Sequence, residues 1–248
     1  MPKTNNSTSS GNINKGKLYL LPSVLGEESE ISAVLPAYTQ NVIKSLHVFI
    51  VEELRTARRF LKKIDKNIPI DNLELLVFNE HSIKENIEQY IEPMLKGENA
   101  GILSEAGLPC IADPGSEIVA EAHRNDIEVI PLTGPSSLLL GLIASGFNGQ
   151  NFAFHGYLPV EKNLLTKKIR QLEMAAKQNQ QTQIFIETPY RNNQMVKAII
   201  ECCADETLLC VAVDITLPTQ HIITKPIRNW KKMQFDFHKR PAVFLIYH

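Results

Sequence analysis

This 248-residue chain has almost no net charge, with 26 Lys and Arg standing against 27 Asp and Glu. Without a global field, nucleic acid can be held only by a local basic patch. No apolar run approaches the roughly 20 residues that cross a bilayer, and the longest, Leu138–Ala144, falls far short, which argues against a membrane protein. Residues 1–16, MPKTNNSTSSGNINKG, are polar and contain no apolar core of a signal peptide, so they read as a disordered tail. The four cysteines, Cys110, Cys202, Cys203 and Cys210, form no CxxC pair, and no His stands at metal-ligand spacing from them. Reduced, buried thiols in a cytoplasmic protein without a metal site are expected. No G-x-G-x-x-G follows the first strand and no Walker phosphate loop is present, which weakens dinucleotide and nucleoside-triphosphate readings. There is no internal repeat.

What is present is alternation. Strand-like runs at Lys17–Leu21, His47–Val51, Leu73–Asn79, Ala100–Ser104 and Ile127–Leu132 are each followed by a helix-like stretch. Those stretches lie near Pro36–Leu46, at the basic run from Arg55, and near Ser82–Lys96, Ser116–Arg124 and Ser136–Ser145. Such order predicts crossover units and a mostly parallel sheet. After Gly146 the pattern changes. FAFHGYL, QIFIET, Thr207–Thr216, HIITKPIRNW and AVFLIYH read as strands, with helices only near Asn163–Gln178 and Asn192–Cys203. Short turns between the last three runs predict an antiparallel or mixed sheet. The expected fold is thus α/β in two domains, 17–147 and 148–248, with the boundary within Phe147–Asn151.

Two turn-rich clusters stand directly after strand-like runs, SEAGLPCIADPG (Ser104–Gly115) and PLTGPSS (Pro131–Ser137). Gly and Pro stop a strand sharply and let backbone approach a ligand. Side by side at the carboxyl ends of parallel strands, two such loops would border a small-molecule site. Asp113 also suits a cap for the next helix, as do Ser136 and Ser137. Arg191 in ETPYR either pairs with Glu187 or contacts phosphate. Arg55, Arg58, Arg59, Lys62 and Lys66 recur at helical intervals and line one side of a helix. They form either a solvated face or a patch for RNA, with no interleaved aromatic platform of the single-strand-binding kind.

These loops, with FHGYLP (Phe154–Pro159) and FIETPYR (Phe185–Arg191), resemble the signature segments of the tetrapyrrole-methylase superfamily. Within it, the nearest resemblance is to the bacterial family that 2′-O-methylates a cytidine ribose in small-subunit rRNA. The resemblance runs from about Lys17 to the last strand and implies a fold of two α/β domains with S-adenosylmethionine folded in the cleft between them. It implies cofactor contacts at Pro22, Ala106, Gly107, Pro109, Ile111 and Ala112, and around Ser136, Ser137 and Leu138. Tyr157, Glu187, Thr188, Ala212, Val213, Ala242 and Val243 complete that set. Arg55, Arg58, Lys62 and Arg191 are the candidate substrate contacts, rRNA or the small ribosomal subunit being the implied partner.

The chain departs from the family pattern in four places. Glu105 stands where Asp is usual. The first loop reads LLPSVLGEESE (Leu20–Glu30), which keeps Pro22 and Gly26 but lacks the family's Thr-Pro and Gly-Asn elements. An acidic pair followed by Thr-Arg becomes Glu52-Glu53-Leu54-Arg55, and the sequence stops at RPAVFLIYH. A ribose hydroxyl needs help in losing its proton, and Glu52, Glu53 and Glu105 are the candidate bases, only one of the adjacent pair being expected to face inward. The alternatives are a tetrapyrrole or other small-molecule methylase, and a non-catalytic cofactor-binding protein. A homodimer is expected from the family and from Ser136–Gly146, whose apolar residues wrap most of a helix and need covering on every side.

Overall fold

The runs Val48–Val51 and Ala100–Leu103 are buried at all positions, which is what strands of a parallel sheet covered on both faces require. In the computed structural model, which describes residues 14–79, 81–82 and 87–248, these runs are central strands of a five-stranded sheet. In chain order its strands are β1 (Leu18–Leu21), β2 (Val48–Val51), β3 (Glu74–Val77), β4 (Ala100–Leu103) and β5 (Val129–Pro131). They pair in the order β3-β2-β4-β1-β5, all parallel. Short helices connect them: α1 (Ile31–Val34) and α2 (Ala37–Ser45), then α3 (Leu54–Ile64), α4 (Glu88–Leu95) and α5 (Ser116–Arg124). Gly101 sits where a Cβ would come within 2.4 Å of Leu21 Cδ1, so only glycine lets β4 lie this close to its neighbour's side chains.

The second sheet begins after α6 (Ser137–Ser145). It contains β6 (Phe152–Tyr157), β7 (Thr182–Ile186), β8 (Leu208–Val213), β9 (His221–Pro226) and β10 (Ala242–Tyr247). Their order is β6-β7-β10-β8-β9; β6 and β7 run parallel and the other pairs antiparallel. The sheet is therefore mixed, as the short turns predict. α7 (Lys162–Asn179) and α8 (Asn192–Cys202) cover it, and Trp230 at the end of α9 (Ile227–Trp230) donates its indole N–H to Leu209 O at 3.0 Å. Phe185 and Phe244, directly opposite on β7 and β10, stack at 5.6 Å. HIITKPIRNW is a strand only as far as Pro226. Proline has no N–H to continue a ladder, and Ile227 and Trp230 turn helically into the core.

The chain divides into two units, one of Met1–Ser23 with Pro36–Thr133 and the other of Val24–Leu35 with Gly134–His248. The division thus comes earlier than the turn chemistry of Phe147–Asn151 suggests. The reason is α6, which packs on the second sheet. A Cβ at Gly141 would meet Ala212 and Leu245 at ordinary van der Waals distance, and Leu142 is buried against the same surface. The divergent first loop joins this unit too, with Gly26 against Leu217 and Ser29 Oγ 3.3 Å from Thr216 Oγ1. Most of the expected polar tail, residues 1–13, lies outside the described residues. Among the described residues no helix is long and apolar enough to cross a membrane. The four thiols are free, but only Cys203 and Cys210 are fully buried; Cys110 and Cys202 are partly exposed.

Candidate functional site

The carboxyl ends of β2, β4 and β1 lie side by side, and the loop of residues 104–115 leaves the middle one. Ser23 N–H donates to Gly107 O at 2.8 Å, tying the end of β1 to this loop. Gly107 has φ +75°, and Cys110 and Ala112 have φ +68° and +62°, a left-handed backbone that non-glycine residues seldom adopt. Asp113 holds it. Its carboxylate accepts from Cys110 N at 2.8 and 3.0 Å and from Gly115 N at 2.8 Å. Asp113 is therefore a clasp within the loop, while α5 follows Gly115, an N-cap with no side-chain hydrogen bond. Burial raises the Asp113 carboxyl above its usual range against these bonds, and pushes the Cys110 thiol up to about 12. Ala106, Ile111 and Ala112 are exposed at the loop surface, whereas Pro22, Gly107 and Pro109 are buried.

The two members of the acidic pair after β2 have different surroundings. Glu53 caps α3, its carboxylate accepting from Arg55 N at 2.9 Å and from Thr56 N and Oγ1 at 2.6 and 3.0 Å. These donors hold its carboxyl below the usual range. Glu52 is half-buried and accepts from Glu105 N at 3.2 Å. Burial raises its carboxyl, and the nearby Asp113 and Glu105 add to the effect. Glu105 is also raised, by loss of water around its carboxyl. Glu52, Ser104 and Asp113 line a cavity of about 10 Å³ otherwise walled by apolar side chains, and Ser104 Oγ is buried without a hydrogen-bond partner.

On α3, Ala57, Phe60 and Leu61 face the core and Arg55, Arg58, Arg59 and Lys62 are exposed; Lys66, also exposed, lies beyond the helix, which ends at Ile64, so the strip is shorter than the helical spacing predicts. Lys62 differs from the arginines. Its ammonium donates to Lys66 O and Ile68 O at 2.9 and 2.8 Å and closes the helix end.

In the second unit Ser136 is the N-cap of α6, accepting from Leu139 N at 3.4 Å, and Ser137 is the first helical residue. Tyr157 is exposed. Glu187 is buried beside Arg191, with Nη2 and Oε2 3.2 Å apart. The distance is that of an ion pair, but the angle leaves Oε2 without a hydrogen bond, while Oε1 accepts from Thr188 N at 2.7 Å. Ala212, Val213, Ala242 and Val243 are buried and pair with one another across β8 and β10. Among the described residues no cluster of His, Cys, Asp and Glu has metal-binding geometry. One grouping has no counterpart in the linear sequence: Tyr190, His238 and Lys239 meet at the surface although they are far apart in the chain. The YR and HKR runs are its only signal there.

Two α/β units, one with a parallel and one with a mixed sheet, are the architecture of known methyltransferases. The solved methyltransferase CobJ matches with a TM-score of 0.60 at 17% identity over 94% of each chain. The cobalt precorrin-4 methyltransferase CbiF matches at 0.59 and 14% identity, over 93% of this chain and 94% of that one. At such identities these likenesses establish the fold. The model of the tetrapyrrole (corrin/porphyrin) methylases matches residues 35–230, and the chain belongs to that family. It is 32% identical to "Ribosomal RNA small subunit methyltransferase I" of Bacillus subtilis (strain 168) over 200 residues, 80% of this chain and 63% of that protein. The Thermotoga maritima protein of the same description is 30% identical over 190 residues, 77% of this chain and 79% of its own length.

Proposed function

We propose that the protein transfers a methyl group from S-adenosylmethionine to a ribose 2′-hydroxyl of small-subunit rRNA. The names of the Bacillus and Thermotoga relatives, small-subunit ribosomal RNA methyltransferases, support the substrate. The residues present fit the cofactor. Ser104 Oγ, at the start of the 104–115 loop, is buried without a hydrogen-bond partner, and Glu187 Oε2, though ion-paired with Arg191, makes no hydrogen bond and is suited to accept one from a ribose hydroxyl. In the first unit Pro22, Ala106, Gly107, Pro109, Ile111 and Ala112 would hold it. In the second, the contacts would come from Ser136, Ser137 and Leu138, from Tyr157, Glu187 and Thr188, and from the strand residues Ala212, Val213, Ala242 and Val243. S-adenosylmethionine, when bound, supplies an electrophilic methyl group on a sulfonium centre.

The chain's own part is orientation and proton removal. Fixing a reaction partner in place removes much of the entropic barrier. The single observation that carries the reading is Glu52, a half-buried carboxylate with a raised proton affinity, tied to the candidate cofactor loop through Glu105 N. A base works best when its pKa approaches the operating pH. Glu53 is committed to capping α3, which leaves Glu52 and Glu105 as the groups that would receive the proton. Arg55 and Arg58 would contact RNA phosphate, whereas Arg191 is ion-paired with Glu187.

We further infer a cytoplasmic protein that acts as a homodimer. Leu139 is 48% and Ile143 77% exposed, so the outer stripe of α6 stays uncovered in the single chain. The deciding experiment is methyl transfer from labelled cofactor to small ribosomal subunits from a strain lacking the protein. Incorporation into the rRNA is expected; transfer only to a tetrapyrrole supplied in a parallel reaction would replace the substrate assignment, and cofactor binding with no transfer would leave a binding protein.

A further inference from the structure

We propose that Tyr190, His238 and Lys239 form a stacking platform for a single-stranded stretch of RNA. The proposal rests on RNA being the substrate and names how the second unit would grip it. Tyr190 lies in the 3-10 turn Pro189–Arg191 and is 67% exposed, so most of its ring faces solvent. The His238 ring meets it edge-on, with centroids 5.9 Å apart at 74°. Lys239 places its ammonium 5.8 Å from the Tyr190 centroid.

The platform is held from below. Asn192 Nδ2 donates to Phe237 O and Arg240 O at 3.2 and 2.6 Å. Asn193 donates to Asp236 Oδ1 and accepts from Phe237 N, both at 2.8 Å. Lys239 itself has φ +61°, a strained conformation fixed by its N–H bond to Pro189 O at 2.9 Å. The adjacent carboxylates are already engaged: Glu187 with Arg191, Asp214 with Arg240 and Asp236 with Asn193. Among the described residues no carboxylate pairs with Lys239.

An exposed ring beside an unpaired ammonium suits one ligand chemistry well. A nucleobase offers a π-face to the tyrosine, and the phosphate next to it offers an anion to the lysine. Double-stranded RNA would present phosphate but no free base face, so the platform selects unpaired nucleotides.

The test is binding of the full-length chain to a single-stranded RNA of roughly 12 nucleotides, a length within the range of single-strand sites, and to the same strand carrying abasic positions. Tyr190→Ala should weaken binding of the intact strand about tenfold, the scale of one base stack, while Tyr190→Phe should stay near wild type. The abasic strand should bind wild type as weakly as the intact strand binds Tyr190→Ala. Lys239→Ala should lower the salt slope by about 0.7, one single-strand phosphate. Because Tyr190 is exposed, an unchanged melting temperature will verify that the variants fold. Wild-type affinity in Tyr190→Ala, or equal affinity for the abasic strand, overturns the platform. So does a Tyr190→Ala defect confined to intact subunits, which would mark a protein contact. The two readings fail separately. Ribosomal RNA methylation by Tyr190→Ala at wild-type kcat/KM would remove the platform alone, and tyrosine-dependent RNA binding by a wild-type protein that methylates no RNA would remove the proposed function alone.

Discussion

Glu52 accepts the backbone N–H of Glu105 at 3.2 Å, so a carboxylate at the end of one parallel strand positions the loop that leaves the next. Glu53, one residue on, turns outward and closes the first turn of α3. Two neighbouring acids thus have separate duties, and substitution should separate them.

Glu52→Gln should lower kcat for methyl transfer by about 100-fold or more, the usual scale of general-base loss, with little change in affinity for S-adenosylhomocysteine. In wild type the acidic limb of the rate profile should lie above the ordinary glutamate range, because burial raises the Glu52 carboxyl; the variant should lose that limb. Glu53→Ala should instead lower Tm and leave kcat intact. The Glu53 carboxyl is held below its usual value in the folded chain, so its stabilising effect is present above the unfolded pKa and vanishes as pH falls through the folded one. The melting difference between wild type and Glu53→Ala should accordingly shrink on acidification, while Glu53→Ser, which keeps a capping oxygen, should recover much of it. A kcat loss in Glu53→Ala at unchanged Tm would exchange the two roles.

The loop of residues 104–115 should hold the cofactor. Calorimetry should give one S-adenosylhomocysteine site per chain, and Ala106→Trp should weaken it at least about tenfold, an effect of roughly 1.4 kcal/mol. Ala106 is a better probe than Gly107, since Ala106 is exposed and Gly107 has φ +75°, where any side chain adds strain of its own. Undiminished affinity with a normal melting curve would move the site off this loop.

The basic strip should act through its arginines. Reversing Arg55 and Arg58 should weaken RNA association and reduce the salt slope by about 0.7–0.9 for each phosphate that is no longer neutralised, leaving cofactor affinity alone. Lys62→Ala should act differently. Its ammonium bonds to Lys66 O and Ile68 O, so the change should lower Tm more than RNA affinity. Equal salt sensitivity in the double reversal would make the strip a solvated face.

The exposed stripe of Leu139 and Ile143 should be an interface between two copies. Light scattering at micromolar concentration should give about twice the 27.9 kDa of one chain, as expected for a stable interface of roughly 2,000 Å² or more. Ile143→Glu should restore the single-chain mass, since a charge would be buried without a partner. A wild-type mass of one chain removes the dimer.

Much of this arrangement was legible in the sequence because parallel strands buried on both faces are unbroken apolar runs, as Val48–Val51 and Ala100–Leu103 show. The turn-rich loops were legible for a related reason: Gly107, Pro109 and Gly115 have few roles outside sharp turns. What was hidden depended on packing between distant segments. Phe147–Asn151 carries the turn signals, but α6 belongs with the second sheet through Gly141 and Leu142, which no local pattern announces. Ile227 and Trp230 read as a continued strand until Trp230 is seen to donate to Leu209 O. Asp113 serves its own loop rather than the helix beyond it. Tyr190 and Lys239 meet only because the segments ending β7 and leading into β10 converge.

The place of β10 in the second sheet has a consequence for the order of synthesis. The parallel sheet has all five strands once Pro131 has been made, whereas the mixed sheet lacks its centre until Ala242–Tyr247 emerge. Until then β7 and β8 each present an open edge toward the space β10 will fill, and unpaired edges recruit foreign strands. A nascent chain halted before Ala242 should therefore resist limited proteolysis over its first unit only and should aggregate through its second. Equal protection of both units in that chain would show that the second sheet closes without its middle strand. β10 works as a keystone, because the two halves of the mixed sheet have no common neighbour until Ala242–Tyr247 are made.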